Sequence, residues 1–105
     1  MSEQDLVNAV IDLIRYRGGV ATRINAGMRV IDDGGKRRVM RGADAGTSDI
    51  IACYKGRYLA TECKFGKNKP TTKQLDFLDS VREAGGLALV TWDIDSVIQL
   101  LEELA

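Results

Sequence analysis

A chain of 105 residues is sized for a single domain, residues 1–105, with a modest core and one site. It contains no histidine, which excludes Ser-His-Asp triads and every mechanism that needs an imidazole base or ligand. No apolar run approaches the ~20 residues that span a bilayer, and the N-terminus lacks the basic and apolar regions of a signal peptide, so a cytoplasmic protein without membrane contact is expected.

Taken in chain order, Ser2 is placed to cap a helix over about residues 3–17, in which Leu6, Val7, Val10, Ile11 and Ile14 recur at helical spacing before Gly18-Gly19. Val20 to Ala26 reads as a strand. A Gly-rich, basic stretch follows from Gly27 to Gly46, with a short strand around Arg38 to Met40. Ile50–Tyr54 and Arg57–Cys63 are strand-like runs joined by Lys55-Gly56, the signature of a hairpin. Thr71 to Ala84 is helical with apolar Phe77, Leu78 and Val81. Leu87 to Thr91 is continuously apolar, as a strand covered on both faces would be, and a last helix runs from about Ile94 to Leu104 behind Asp93 or Asp95. The expected fold is α/β: a small mixed β-sheet flanked by helices in α-β-β-β-α-β-α order. Cys53 and Cys63 have no metal or disulfide spacing and are expected to be buried and reduced.

The 15 basic and 15 acidic residues cancel overall but are segregated. Residues 15–41 hold eight basic against two acidic side chains, residues 55–75 hold six against one, and residues 76–105 hold one against seven. This suggests one anion-facing side, against the plainer reading of a mixed solvated surface.

If the hairpin turns at Lys55-Gly56, Asp49 faces Glu62 with Cβ atoms ~5 Å apart, and Lys64 leaves the same face as Glu62. A one-residue bulge would break that register. Opposed carboxylates destabilise a sheet unless a cation lies between them. Oxygen-only ligands suit Mg²⁺ or Mn²⁺, with Lys64 left to orient a water or neutralise a phosphate. The plainer reading is an edge salt bridge between Glu62 and Lys64, with Asp49 merely starting a strand. Glu3 continues the apolar stripe of the first helix, and is either a site residue or a first-turn carboxylate at the helix dipole. Gln74 continues the stripe of its own helix, and is either a site residue or half of a Thr71-x-x-Gln74 capping box.

The run Gly46-Thr47-Ser48-Asp49, then Glu62-Cys63-Lys64, then Gln74 resembles the PD-(D/E)xK nuclease superfamily. With Glu3 opening the first helix, it resembles the virus-type replication-repair nuclease (VRR-NUC) family in particular. That resemblance covers nearly the whole chain and implies a nuclease-like sandwich. It implies that Asp49, Glu62 and the main-chain carbonyl of Cys63 bind Mg²⁺ or Mn²⁺. Lys64 would assist the nucleophile, and Glu3 and Gln74 would complete the site. Ser48 departs from the proline often found before the Asp, a position that contributes shape rather than chemistry. Arg23, Arg29, Lys36, Arg37, Arg38, Arg41, Lys67, Lys69 and Lys73 are candidate phosphate contacts, or else solubilising loop residues. Tyr54, Tyr58 and Trp92 are expected in the core or at its rim.

The function so implied is a structure-selective DNA endonuclease acting on branched DNA, with four-way junctions the leading substrate and no organic cofactor. The alternatives are a non-catalytic DNA-binding module and a flap- or nick-type nuclease. A sequence-specific restriction enzyme is disfavoured, since no segment is left over to read bases. A homodimer would match the symmetry of a four-way junction, and the apolar residues of Leu87–Thr91 and the last helix hint at a subunit contact.

Overall fold

The computed structural model describes residues 2–26 and 28–104, the side chains of 28–31, 33, 40 and 41 excepted. Helix α1 spans Glu3–Tyr16 and begins at a reciprocal cap, in which Ser2 Oγ accepts the Asp5 N–H at 3.1 Å and the Asp5 carboxylate accepts the Ser2 N–H at 2.9 Å. Its stripe of Leu6, Val7, Val10, Ile11 and Ile14 is buried, as the spacing predicts.

Four strands form the central sheet in the order β1 (Val20–Arg23), β4 (Ile50–Tyr54), β5 (Arg57–Cys63), β6 (Leu87–Thr91). The β1–β4 and β4–β5 pairs are antiparallel and β5–β6 is parallel, so the sheet is mixed. The β4–β5 turn is set by Lys55 (φ 50) and Gly56 (φ 78), the two left-handed residues that a tight hairpin of this twist requires. Tyr54 therefore pairs with Arg57 and Ile50 with Thr61, without a bulge. Parallel pairing of β5 with β6 needs a long crossover, which α2 (Thr72–Glu83) supplies.

Alternation along the strands separates two cores. On one face Ile50, Ala52, Tyr54, Leu59 and Cys63 pack against α1 and against Val97 and Leu101 of α3 (Ile94–Glu103). On the other face Ala60, Ala88 and Val90 pack against Leu78, Val81 and Phe77 of α2. The chain is thus an α/β layered fold with α1 and α3 on one side and α2 on the other. Around the central sheet the elements follow the expected α-β-β-β-α-β-α order. Among the described residues no helix is long and apolar enough to cross a membrane.

Several expectations are corrected. The basic stretch holds two strands rather than one, β2 (Met28–Asp33) and β3 (Lys36–Arg41), which form a separate antiparallel sheet. The strand expected over Val20 to Ala26 stops at Arg23, and Ala26 forms an isolated bridge with Ala43. Cys53 is exposed because α2 covers β5 and β6 but leaves the β1–β4 half of that face open. β6 is covered on both faces as expected, by Leu87 and Leu89 against the α1-side core and Ala88 and Val90 against α2, and its residues are half-buried because it is an edge strand. Of the apolar residues of β6 and α3 that hinted at a subunit contact, Val97 and Leu101 are buried in the α1-side core, while Leu87 and Leu89 are half-buried against it.

One glycine fixes how the loop before β4 meets α2. Gly46 has φ +92, and a Cβ there would lie 2.6 Å from the main-chain oxygen of Lys73 in the first turn of α2. Neither the dihedral nor the helix backbone can give way cheaply. Gly46→Ala is expected to destabilise the protein by roughly 1–3 kcal/mol. Urea denaturation would check this, with Gly34→Ala as the comparison, since Gly34 also has a positive φ (+59) but meets nothing within 4 Å.

Candidate functional site

The antiparallel ladder of β4 and β5 ends at Ile50 and Thr61, and the next residues in register are Asp49 and Glu62. Where a further main-chain bond would form, the Asp49 side chain substitutes for it: the Cys63 N–H donates to Asp49 Oδ2 at 2.8 Å. On its other side the Asp49 carbonyl accepts the Ile24 N–H at 2.8 Å, which ties the residue to the end of β1. Ser48 is fully buried, and its Oγ donates to the Ile50 carbonyl at 2.9 Å, so a hydroxyl shapes the approach to Asp49.

Glu62 lies next to Ala60 on the α2 side of the sheet and is only 1% exposed. Its Oε1 is 3.4 Å from Lys64 Nζ, itself in a residue 8% exposed; its Oε2 meets no donor among the described residues, and the protonated carboxyl can share its proton with the adjacent Asp49 carboxylate. Thr61 Oγ1 is likewise buried without a partner, but it leaves the opposite face. Because a strand residue sends its N–H and C=O to the same edge, the Cys63 carbonyl leaves toward β4 as its N–H does. The structure thus brings together Asp49, Glu62, Lys64 and the Cys63 main chain at one end of the sheet.

Burial pushes the Glu62 carboxyl up to about 7, the Asp49 charge adds to the rise, and Lys64 opposes it. Burial likewise pushes the Cys63 thiol up to about 12, with Asp49, Glu62 and Glu3 adding to it. That thiol is a neutral core group rather than a soft ligand or nucleophile. Among the described residues no group of three or more Asp, Glu, Cys or His side chains converges as a ready metal cage. What is present is a pair of adjacent carboxyl groups, an all-oxygen set that fits a hard cation keeping several of its waters.

The other expected site residues are placed differently. Glu3 is half-buried in the first turn of α1, the helix that packs on the Cys63 face of the sheet, and its charge acts on the Cys63 thiol. Gln74 is engaged in the α2 cap: its Oε1 accepts the Thr71 N–H at 2.8 Å while Thr71 Oγ1 accepts the Gln74 N–H at 3.2 Å. Neither joins the Asp49–Glu62–Lys64 group through a hydrogen bond or ion pair among those described.

The candidate phosphate contacts divide into two sets. Arg23 ends β1 beside Ile50, Lys73 abuts the Gly46 loop, and Lys67 and Lys69 follow Lys64, so these four exposed residues rim the carboxylate end. Lys36, Arg37 and Arg38 are exposed on the β2–β3 hairpin, where Arg37 makes a loose ion pair with Asp32 at 3.9 Å. The side chains of Arg29 and Arg41 lie outside the described residues. An apolar cavity of about 370 Å³ lined by Tyr58, Phe77 and Val81 sits toward the start of β5, away from Glu62. Trp92, expected in the core or at its rim, is 45% exposed just beyond β6, and its Nε1 donates to the Asn68 carbonyl in the loop after Lys64 at 2.9 Å; that proximity depends on the parallel β5–β6 pairing, which no local pattern in the sequence discloses. The chain matches no protein-family model and no curated protein.

The raised Glu62 carboxyl has a signed consequence for the metal-free protein. Below its ordinary value of 4.5 the group is protonated whether folded or unfolded, and it costs nothing. Between 4.5 and about 7 the unfolded chain releases the proton while the folded protein keeps it, so stability falls as pH rises. With no histidine in the chain, no other side chain has its ordinary value between pH 5 and pH 7. In EDTA, the thermal midpoint should fall from pH 5 to pH 8 for the wild type and stay nearly level for Glu62→Gln; an equal slope in both would refute this account.

Proposed function

We propose that this chain is a metal-dependent endonuclease of the PD-(D/E)xK type, resembling the VRR-NUC family, that hydrolyses phosphodiester bonds in branched DNA. The observation that supports it most is the buried Glu62 carboxyl, which lies against the Asp49 carboxylate and next to Lys64. Two carboxyl groups this close cannot both carry charge without cost, and a bound cation between them would remove that cost. Asp49, Glu62 and the Cys63 carbonyl would hold Mg²⁺ or Mn²⁺, which supplies Lewis-acid polarisation of the phosphate and a more acidic bound water. The Cys63 N–H holds Asp49 Oδ2 in place, leaving Oδ1 for the ion. Lys64, with its ammonium anchored on Glu62 Oε1, would orient the attacking water and balance charge that builds on the phosphate.

Four-way junctions are the leading substrate, with flaps or nicks as the alternative. Two copies about a two-fold axis would present two sites to two symmetry-related strands. Such work belongs in the cytosol of a bacterial or phage-infected cell. Placement of Glu3 on the Cys63 side of the sheet and of Gln74 in a helix cap favours a second reading, a DNA-binding module without catalysis. One assay separates the two. Asp49→Asn, Glu62→Gln and Lys64→Met keep side-chain volume, and each should lower Mg²⁺-dependent cleavage of a labelled four-way junction by about 10²-fold or more. Wild-type protein that binds the junction and never cuts it, in Mg²⁺ or Mn²⁺, would establish the binding module instead.

The basic hairpin should contribute affinity without sequence preference, through release of counterions from phosphates. Replacing Lys36, Arg37 and Arg38 together with Ala is expected to weaken DNA binding and to flatten the dependence of log K on log salt by about 2–3. Titrations across a salt series in Ca²⁺ would measure both; an unchanged slope would make these residues ordinary surface.

A further inference from the structure

We propose that Trp92 and the loop that follows Lys64 form a stacking subsite for one unpaired nucleotide, so that the substrate class is DNA with an unstacked base next to the cut. The subsite deepens the nuclease reading and rests on it for the position of the cut.

Parallel pairing runs from Leu59–Leu87 to Cys63–Thr91, and its last bond is the Lys64 N–H donating to the Thr91 carbonyl at 2.9 Å. Trp92 follows directly where β6 ends, so it leaves the sheet at the end from which Lys64 and its loop emerge.

The indole is held by its edge. Its Nε1 donates to the Asn68 carbonyl at 2.9 Å, and the loop carrying Asn68 is closed by the Asn68 N–H donating to the Phe65 carbonyl at 3.2 Å. The polar handle of Trp92 is thus satisfied within the protein while the residue stays 45% exposed. A tryptophan that leaves ring surface to water and has no free donor offers a partner only its π-surface.

The space against it has matching chemistry. Gly66, Lys67, Asn68, Lys69 and Trp92 line an open cavity of about 450 Å³, within the ~300–1,000 Å³ range of small-ligand sites. That lining contains two cations and no carboxylate. An aromatic surface beside two lysines suits a base with its phosphate: the base stacks and the lysines take the backbone. A base inside a duplex has both faces covered by its neighbours, so only an unpaired, splayed base can use the subsite. One tryptophan accommodates one base, which fits a branch point or flap better than a long single strand.

Trp92 is the chain's single tryptophan, so its fluorescence reports the contact directly. The probes are three DNA duplexes identical except at the centre: a thymidine bulge, the same bulge made abasic, and a fully paired control. Binding is followed by anisotropy with Ca²⁺ in place of Mg²⁺. The thymidine bulge should quench Trp92 and bind about tenfold tighter than the abasic bulge. Trp92→Ala also releases the Asn68 loop and so can weaken binding of all three probes alike; the readout is the thymidine-to-abasic ratio, which Trp92→Ala should bring to one and Trp92→Phe, which lacks the indole N–H but keeps a ring, should restore in part. Equal quenching and affinity for thymidine and abasic bulges would overturn the subsite, as would a thymidine preference that survives unchanged in Trp92→Ala. The nuclease reading fails separately: quenching by the thymidine bulge without metal-dependent cleavage would uphold the subsite and remove that reading. Cleavage with no response at Trp92 would do the reverse.

Discussion

A carboxylate taken out of water at the end of a strand must be balanced by charge, protonation or a bound ion, and Glu62 has only partial balance. Lys64 engages one oxygen at 3.4 Å and the other meets no donor among the described residues, while the second carboxylate, Asp49, adds repulsion from across the ladder. Replacing such a group with an apolar side chain of similar volume is often neutral or favourable to folding, so stability gives little reason for this arrangement. The surrounding features make sense as means of holding it in place. Asp49 is fixed from both sides by the main chain of Cys63 and Ile24, Ser48 braces the start of β4, and Gly46 seats the loop against the first turn of α2.

The hairpin that creates this opposition was legible before any coordinates, because its determinant is local. Lys55-Gly56 permits a two-residue turn with both residues left-handed, and once the turn is fixed every pair back to Ile50–Thr61 follows. The same rule was available at Asp32–Lys36, where Gly34 (φ +59) and Gly35 (φ +85) turn β2 into β3. There the flanking residues are charged rather than alternately apolar, and a strand pair outside the main core leaves no burial pattern to be seen. Burial itself was the less readable quantity. Whether an apolar run is covered depends on which half of a face a helix crosses: α2 shields Ala60 and Ala88 but not Cys53, and β6 lies at an edge despite a composition suited to the middle of a sheet.

The site divides along the same line. Asp49, Glu62 and Lys64 could be read together because hairpin register and strand alternation are periodic properties of neighbouring segments. Glu3 and Gln74 each had two uses open to them, and tertiary placement decided between them. For Gln74 the nearest unsatisfied donor was the Thr71 N–H of its own cap, and a bond formed within one turn of helix requires little ordering beyond the helix itself. For Glu3, α1 packs on the face of the sheet that carries Cys63, so continuing the apolar stripe brought its charge within reach of the Cys63 thiol. Trp92 was out of reach of any local argument, since its position beside the loop after Lys64 depends on two strands separated by all of α2.

That crossover also links the parts mechanically. β5 ends in Cys63 and Lys64, the loop of Lys67 and Lys69 leads into α2, the first turn of α2 meets the Gly46 loop, and that loop ends in Asp49. The circuit closes through the Cys63 N–H bond to Asp49. A phosphate drawn to Lys67, Lys69 or Lys73 would therefore act on a segment whose two ends hold the carboxylates, and rigid contacts such as Gly46 against the Lys73 backbone leave little slack to absorb a shift. In a protein with no net charge, basic side chains gathered at this junction concentrate positive potential beside the carboxyl groups. Segregation of charge along the sequence thus becomes, through one parallel crossover, a set of exposed basic side chains around half-buried Asp49 and buried Glu62.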